Sequence, residues 1–388
     1  MSTAVATITR KIPVARPFLG IEEEEAVVEA LRSGWITQGP TVAQFEDRFA
    51  EYIGCDHAIA VSSCTTALHL AIAVAGIGPG DEVICPSLSF IASANSVAYT
   101  GATPVFCDID ANTYNIDPAW LGQCLTSRTK AILVVHQIGQ PVDMRRILEF
   151  ADAHKLIVIE DAACAIGSEY RGRLVGAPLG LMACFSFHPR KVLTTGEGGM
   201  ITTSDAVLAQ RLRQLRQHGM SISDLVRNAA KQIVTERYNE IGYNFRMTDL
   251  QAAIGLAQLT RLPHFLTQRR AMAARYDHAL GNVSWLQPPV ILPHCKTNYQ
   301  SYMVRLLGSA AGARDAIMQT LLDKGISTRR AVMAIHRELP YRAERWERTL
   351  SRTNLVADTG LILPLYHDMS EDEQDFVIEA IQEIRLTQ

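Results

Sequence analysis

Lys191 sits in "SFHPRKVLTTGEGGM", between a short apolar run and a tail holding Gly196, Gly198 and Gly199. Asp161 lies thirty positions upstream, at the end of "LIVIED". Further upstream, "SSCTT" at 62–66 follows the apolar run "AIAV" and opens a helical pattern. A lysine amine becomes a nucleophile when burial or a cationic neighbour lowers its pKa, and His188 and Arg190 are its neighbours in sequence. A carboxylate closing a buried strand is costly unless a cation meets it. Small hydroxyl residues and free N–H groups at a helix N-terminus suit a phosphate. Taken singly, each has a plain alternative: a solvated basic cluster, a helix-capping Asp, a Ser/Thr N-cap. Taken in this order, a phosphate cradle, a strand-end Asp and a lysine are what pyridoxal phosphate (PLP) requires. His188 and Arg190 stay undecided between tuning and packing, and the glycines are expected to make room rather than to bind phosphate.

The elements that must position these residues are legible as alternating patterns. Strand-like "AIAVSS", "DEVICP", "TPVFCDID", "AILVVH", "LIVIED", "MACFSF" and "GMITTS" interleave with helical stretches, predicting an α/β fold with a mostly parallel central sheet flanked by helices. The uncharged run 58–78 contains Ser62, Ser63, Thr65, Thr66 and His69, so it reads as strand, polar turn and helix rather than a membrane span. Glu22–Glu25 load the first turn of an amphipathic helix, where carboxylates complement the helix dipole. Beyond residue 250 the texture becomes a long helical stretch, expected to be kinked or interrupted at Pro263, followed by a smaller α+β portion. The expected division is a large domain at 1–255 with the N-terminal segment and a small C-terminal domain at 256–388. The last helix starts at Ser370, with Glu373 completing a capping box.

The chain has 388 residues, 48% of them hydrophobic, and a formal net charge of −3, which gives no electrostatic reason to expect nucleic acid. Its eight cysteines form no CxxC pair and several sit in apolar runs, favouring free thiols in a reducing, cytoplasmic compartment and no metal site. The N-terminal "MSTAVATITRKIPVARPF" has the wrong order of charge and apolar residues for a secretory signal.

The sequence resembles the DegT/DnrJ/EryC1/StrS sugar aminotransferases, PLP-dependent enzymes of fold type I. The resemblance rests on "SSCTTALHLA", "PSLSFIASANSVAYTGATPVFCDID", "EDAACAIGSEYRGRLVG", "SFHPRKVLTTGEGGM", "GYNFRMTDLQAAIGLAQL" and "LPLYHDMSEDE", which fall in the family's order across nearly the whole chain. It implies that Lys191 is the Schiff-base lysine and proton shuttle, and that Asp161 partners the pyridine nitrogen. It further implies that Thr65, Thr66 and Ser186 contact the phosphate and that Phe90 stacks on the ring. Asn244 would reach the phosphate from a neighbouring subunit, making the unit a homodimer with shared sites. His336 would line the nucleotide-sugar pocket, and Arg330 with Arg329 could pair with a diphosphate. Cys64 stands where many relatives carry Gly, and Cys164 where they carry Gln or His near the cofactor's phenolic oxygen; a thiol is a poorer hydrogen-bond partner.

The implied reaction moves an amino group, usually from glutamate, to a nucleotide-linked keto sugar through PLP and pyridoxamine phosphate (PMP). Two alternatives stand beside it: another fold-type-I reaction on a keto sugar or cyclic ketone, and a regulator that keeps PLP as a structural ligand. Lys191 argues against the dehydratase branch, whose members carry histidine there. The nucleotide, the sugar and the carbon aminated depend on "RRAVMAIHRELPY" and on loops such as "SISDLVRNAAKQ", where the general motifs are silent.

Overall fold

The computed structural model describes residues 11–222, 227 and 230–385; the first ten residues and half of "SISDLVRNAAKQ" lie outside them. The expected strands form at His57–Val61 (β1), Glu82–Pro86 (β2), Thr103–Cys107 (β3), Thr129–Val135 (β4), Ile157–Asp161 (β5), Met182–Ser186 (β6) and Gly199–Thr203 (β7). They make one seven-stranded sheet in the order β1-β7-β6-β5-β4-β2-β3. β7 alone runs against its neighbours β1 and β6, and the other pairings are parallel. Buried on both faces, "AILVV" and "IVIED" need helices above and below, and apolar cores do line both sides.

The helices that matter for the site are Ile21–Ser33 (α1), Pro40–Ile53 (α2), Cys64–Val74 (α3), Ala92–Tyr99 (α4) and Asp249–Leu280 (α5). The run 58–78 therefore splits into strand, turn and helix as its polar residues require. Among the described residues no helix is long and apolar enough to cross a membrane. In α1, Glu23 accepts from the Gly20 N–H at 2.6 Å and meets Arg261 at 2.8 Å and Gln258 at 2.8 Å, so the acidic run is a helix start tied to α5. Among the described residues no cluster of His, Cys, Asp or Glu could hold a metal ion.

The expected interruption at Pro263 does not occur: α5 runs unbroken for 32 residues with Pro263 inside it. Losing one backbone donor is tolerated because the helix is fixed along its length by tertiary contacts, which override local propensity. Leu259, Leu262, Phe265 and Leu266 pack in one core, and Met272, Ala273, Tyr276 and Leu280 in the next. The expected boundary after residue 255 thus falls inside a helix whose packing changes between Leu266 and Met272. The second core also takes in Ile12 from the N-terminal segment, and lies against a four-stranded antiparallel sheet built from Leu286–Gln287, Tyr302–Leu306, Arg329–Arg330 and Gly360–Leu363. Ser370 and Glu373 form the expected capping box of the final helix, Glu371–Gln382.

Candidate active site

Three strand ends converge on one glycine. In the sheet register Gly199, the first residue of β7, faces Val61 at the end of β1 and Ser186 at the end of β6. A β-carbon at Gly199 would lie 2.5 Å from Ser63 C, 2.6 Å from Ser63 O and 2.7 Å from Cys64 N. The 62–66 turn can therefore sit over the sheet edge only because position 199 has no side chain. Gly196 is needed for its backbone instead, with φ at +80°. The glycine tail makes room for the turning chain, as its sequence suggests.

Within that turn Ser63 caps α3: its Oγ accepts from Thr66 N–H at 3.2 Å, and Thr66 Oγ1 accepts from Ser63 N–H at 3.1 Å. The Cys64 and Thr65 N–H groups are left at the helix N-terminus without an internal acceptor, as helix geometry requires. Phe245 C=O anchors the turn from the far side, accepting from Ser62 N–H at 2.8 Å.

β5 lies beside β6, with Asp161 opposite Cys184. Asp161 is buried; its Oδ2 accepts from Ser93 Oγ at 2.8 Å and its Oδ1 from Ala163 N–H at 3.1 Å. Burial pushes the carboxyl above its ordinary pKa, while Ser93, Ala163 and Lys191 pull it down. Next to it, Glu160 takes Gly180 N–H at 2.8 Å and His136 Nε2 at 3.0 Å. Val142 N–H donates to His136 Nδ1 at 3.0 Å, so Nε2 carries the imidazole proton and donates to Glu160.

Lys191 follows β6 and is half-buried, its Nζ 3.1 Å from Cys164 Sγ. Burial pulls the ammonium pKa down, but Cys164, Cys64 and Asp161 around it outweigh burial and leave it above its ordinary value. The expectation that cationic neighbours lower it is not met, because Arg190 is exposed and the groups facing Lys191 are thiols and a carboxylate. Cys164 is held in place by Asn298, whose Nδ2 donates to its carbonyl at 2.8 Å and to that of Ile166 at 2.8 Å. Asn298 is fully buried and no local pattern announces it; its neighbours are 132 and 134 residues away.

Of the other expected site residues, Thr65, Thr66 and Ser186 are half-buried around the Gly199 junction, and Phe90 is 67% exposed just before α4. Asn244 is exposed, with Oδ1 accepting from Arg246 Nε at 3.1 Å, one residue before the Phe245 anchor. Arg329 and Arg330 are exposed on an edge strand of the second sheet. His336 is the residue expected to line the nucleotide-sugar pocket. It is fully buried, with Nδ1 2.7 Å from Ser87 Oγ and Nε2 3.1 Å from Asn354 Oδ1, so both ring nitrogens are spent on the fold.

The donor set fits pyridoxal phosphate: unpartnered N–H groups and hydroxyls for a phosphate, a buried carboxylate with acceptor capacity to spare for a ring N–H, and an amine within the same cluster. Fold and site together define a fold-type-I PLP-dependent transferase architecture. The DegT/DnrJ/EryC1/StrS aminotransferase family model matches residues 18–382, and the chain belongs to that family. It is 44% identical over 381 residues to GDP-perosamine synthase of Caulobacter vibrioides, covering 96% of this chain and 98% of that protein. Its structure resembles the aminotransferase TlmJ from Streptoalloteichus hindustanus (TM-score 0.88, 36% identity, 95% of this chain and 97% of that one). It also resembles a Streptococcus pneumoniae protein described as a sugar aminotransferase in its PMP form (TM-score 0.89, 29% identity, 95% and 98%), which has been solved in a PLP form as well.

Proposed function

We propose that this protein is a PLP-dependent aminotransferase that moves an amino group, from glutamate, to a nucleotide-linked keto sugar in amino-sugar biosynthesis. The observation that carries the reading is the cluster at one sheet edge of Lys191, buried Asp161 and the open N-terminus of α3. When bound, the cofactor supplies a carbonyl for amine exchange and a cationic ring that takes up negative charge.

The chain's own residues do the rest. Cys64 and Thr65 N–H, with the hydroxyls of Thr65 and Ser186, would receive the phosphate, while Thr66, whose hydroxyl donates to the Ser63 carbonyl at 2.8 Å, holds the turn that presents them. Asp161 accepts the ring N–H; once paired it no longer raises the Lys191 pKa, and the amine reaches its neutral form more readily. Neutral Lys191 Nζ takes a proton from the donor's α-carbon and later returns one to the sugar's former carbonyl carbon. Phe90, exposed beside α4, would cover the cofactor, and Cys164, 3.1 Å from Lys191 Nζ, would be a hydrogen-bond partner beside it. Arg330 and Arg329 offer bidentate donors to a diphosphate. Asn244 completes the phosphate site of a neighbouring subunit in a homodimer, and the enzyme works in the cytoplasm.

Borohydride reduction of the PLP-loaded protein tests this. Reduction is expected to fix a pyridoxyl phosphate group on Lys191, found by peptide mass spectrometry, while K191A takes up none and loses turnover with every donor–acceptor pair. A K191A protein that keeps turnover, or label on another lysine, overturns the assignment.

A further inference from the structure

Behind Asp161 stands a chain of hydroxyls that the reaction as described does not use. Ser93 Oγ lies 2.8 Å from Asp161 Oδ2, and Ser89 Oγ lies 2.8 Å from Ser93 Oγ. A carboxylate can only accept, so the Ser93 hydroxyl must donate to it, and the Ser89 hydroxyl must then donate to Ser93. The direction of the relay is thus fixed by its end. Ser89 and Ser93 are 2% and 1% exposed, so water cannot substitute for either donor.

The far end is fastened to the second domain. Ser89 N–H donates to Met333 C=O at 3.2 Å, Leu88 bridges Ala334, and Ile335 N–H donates to Ser87 C=O at 2.8 Å. His336 locks the same joint through Ser87 Oγ. The segment 86–93 therefore links the loop at 333–336, the exposed Phe90 and the carboxylate of Asp161.

We propose that Ser93, with Ser89 behind it, is a positioning residue that fixes the Asp161 carboxylate and keeps it ionised for the cofactor's ring nitrogen. The proposal rests on Asp161 as that partner. Ser93 Oγ and Ala163 N–H occupy one acceptor direction on each oxygen and so aim the remaining lone pairs at the site. Lys191, His136, Cys64 and Cys184 are the other titratable groups facing Asp161. None of them donates a hydrogen bond to it among the described contacts, so the relay and Ala163 are the directional terms.

The test uses the full chain with S93A, S89A and D161N. Loss of a hydrogen bond to a buried charge is expected to weaken PLP binding, followed by absorbance titration, roughly tenfold or more in S93A. S89A should move the same way by less, and it carries the test if S93A folds poorly. The melting temperature of the apoprotein supplies the second readout. Without Ser93 the buried carboxyl is harder to ionise, so the S93A deficit should grow as pH rises through the ionisation of Asp161. A missing hydroxyl with a merely structural role leaves a deficit independent of pH. That pH-independent deficit, with wild-type PLP affinity in S93A and S89A, overturns the relay. Wild-type PLP affinity and absorption in D161N instead overturns the reading of Asp161 on which the relay rests.

Discussion

His367 shows how a single side chain can join the segment that carries Lys191 to the C-terminal part of the chain. Its Nε2–H donates to the Val192 carbonyl at 3.1 Å, one residue beyond Lys191, and its ring stacks on Phe265 at 4.2 Å. Burial, with Arg269 nearby, pushes its pKa down to about 3 from the ordinary 6.5. The unfolded chain takes up a proton as pH falls through about 6.5, whereas the folded chain keeps the ring neutral until about 3. The stability His367 contributes is complete above that window and is lost progressively on going down through it. H367Q keeps an N–H donor without the titration, so its urea midpoint should fall less between pH 7 and pH 4 than the wild type's. Parallel curves would show that His367 does not titrate in this way. The same residue marks what sequence can reveal. Lys191 and Asp161 are legible because their order and spacing carry chemistry. His367, Ser93 and Asn298 act through partners 175, 68 and 134 positions away, which no local pattern encodes. For the same reason only the fold shows Ser87 and Asn354 on the two ring nitrogens of His336.

The elements were easier to read than their joints. Strand runs place all seven strands of the main sheet, because burial on both faces leaves a strong apolar signature, and helix periods place α1 and α3. The supports between elements are tertiary. Residue 39 is a glycine and cannot cap α2 with its side chain; Asp249, at the start of α5, accepts instead from Gly39, Thr41 and Val42 N–H at 2.7, 3.0 and 3.1 Å. Gly199 is the joint that bears most directly on function. In G199A the new β-carbon meets backbone atoms of Ser63 and Cys64, which cannot rotate away as a side chain tip would. Overpacking of this kind costs typically about 1–3 kcal/mol. The expected result is a lowered urea midpoint together with weaker binding of PLP, because the displaced turn carries the N–H groups proposed for its phosphate. A G199A protein with wild-type PLP affinity would separate the turn from phosphate binding.

At the scale of the whole molecule, α5 ties the two cores together. Arg269 on its buried side donates to the carbonyls of Tyr299, Gln300 and Leu365 at 2.9, 2.7 and 3.2 Å, holding the loops at 299–300 and 365 against the helix. The proposed dimer asks for a further joint, between chains. Asn244 is exposed, and its neighbour Phe245 anchors the 62–66 turn of its own chain, so a second chain packed near that turn would bring the two sites into register. If each site takes Lys191 from one chain and Asn244 from the other, K191A and N244A should complement. In a heterodimer of the two variants, one site carries both defects and the other carries neither. Random reassortment makes half of the dimers mixed, so co-refolded equal amounts should recover about a quarter of wild-type activity, given that each variant alone is inactive. Sites built within one chain would recover nothing, since every site in the mixture would then carry one defect. Sedimentation of the mixture, run beside the assay, shows whether dimers have formed and so assigns a lack of recovery to the site rather than to failed association.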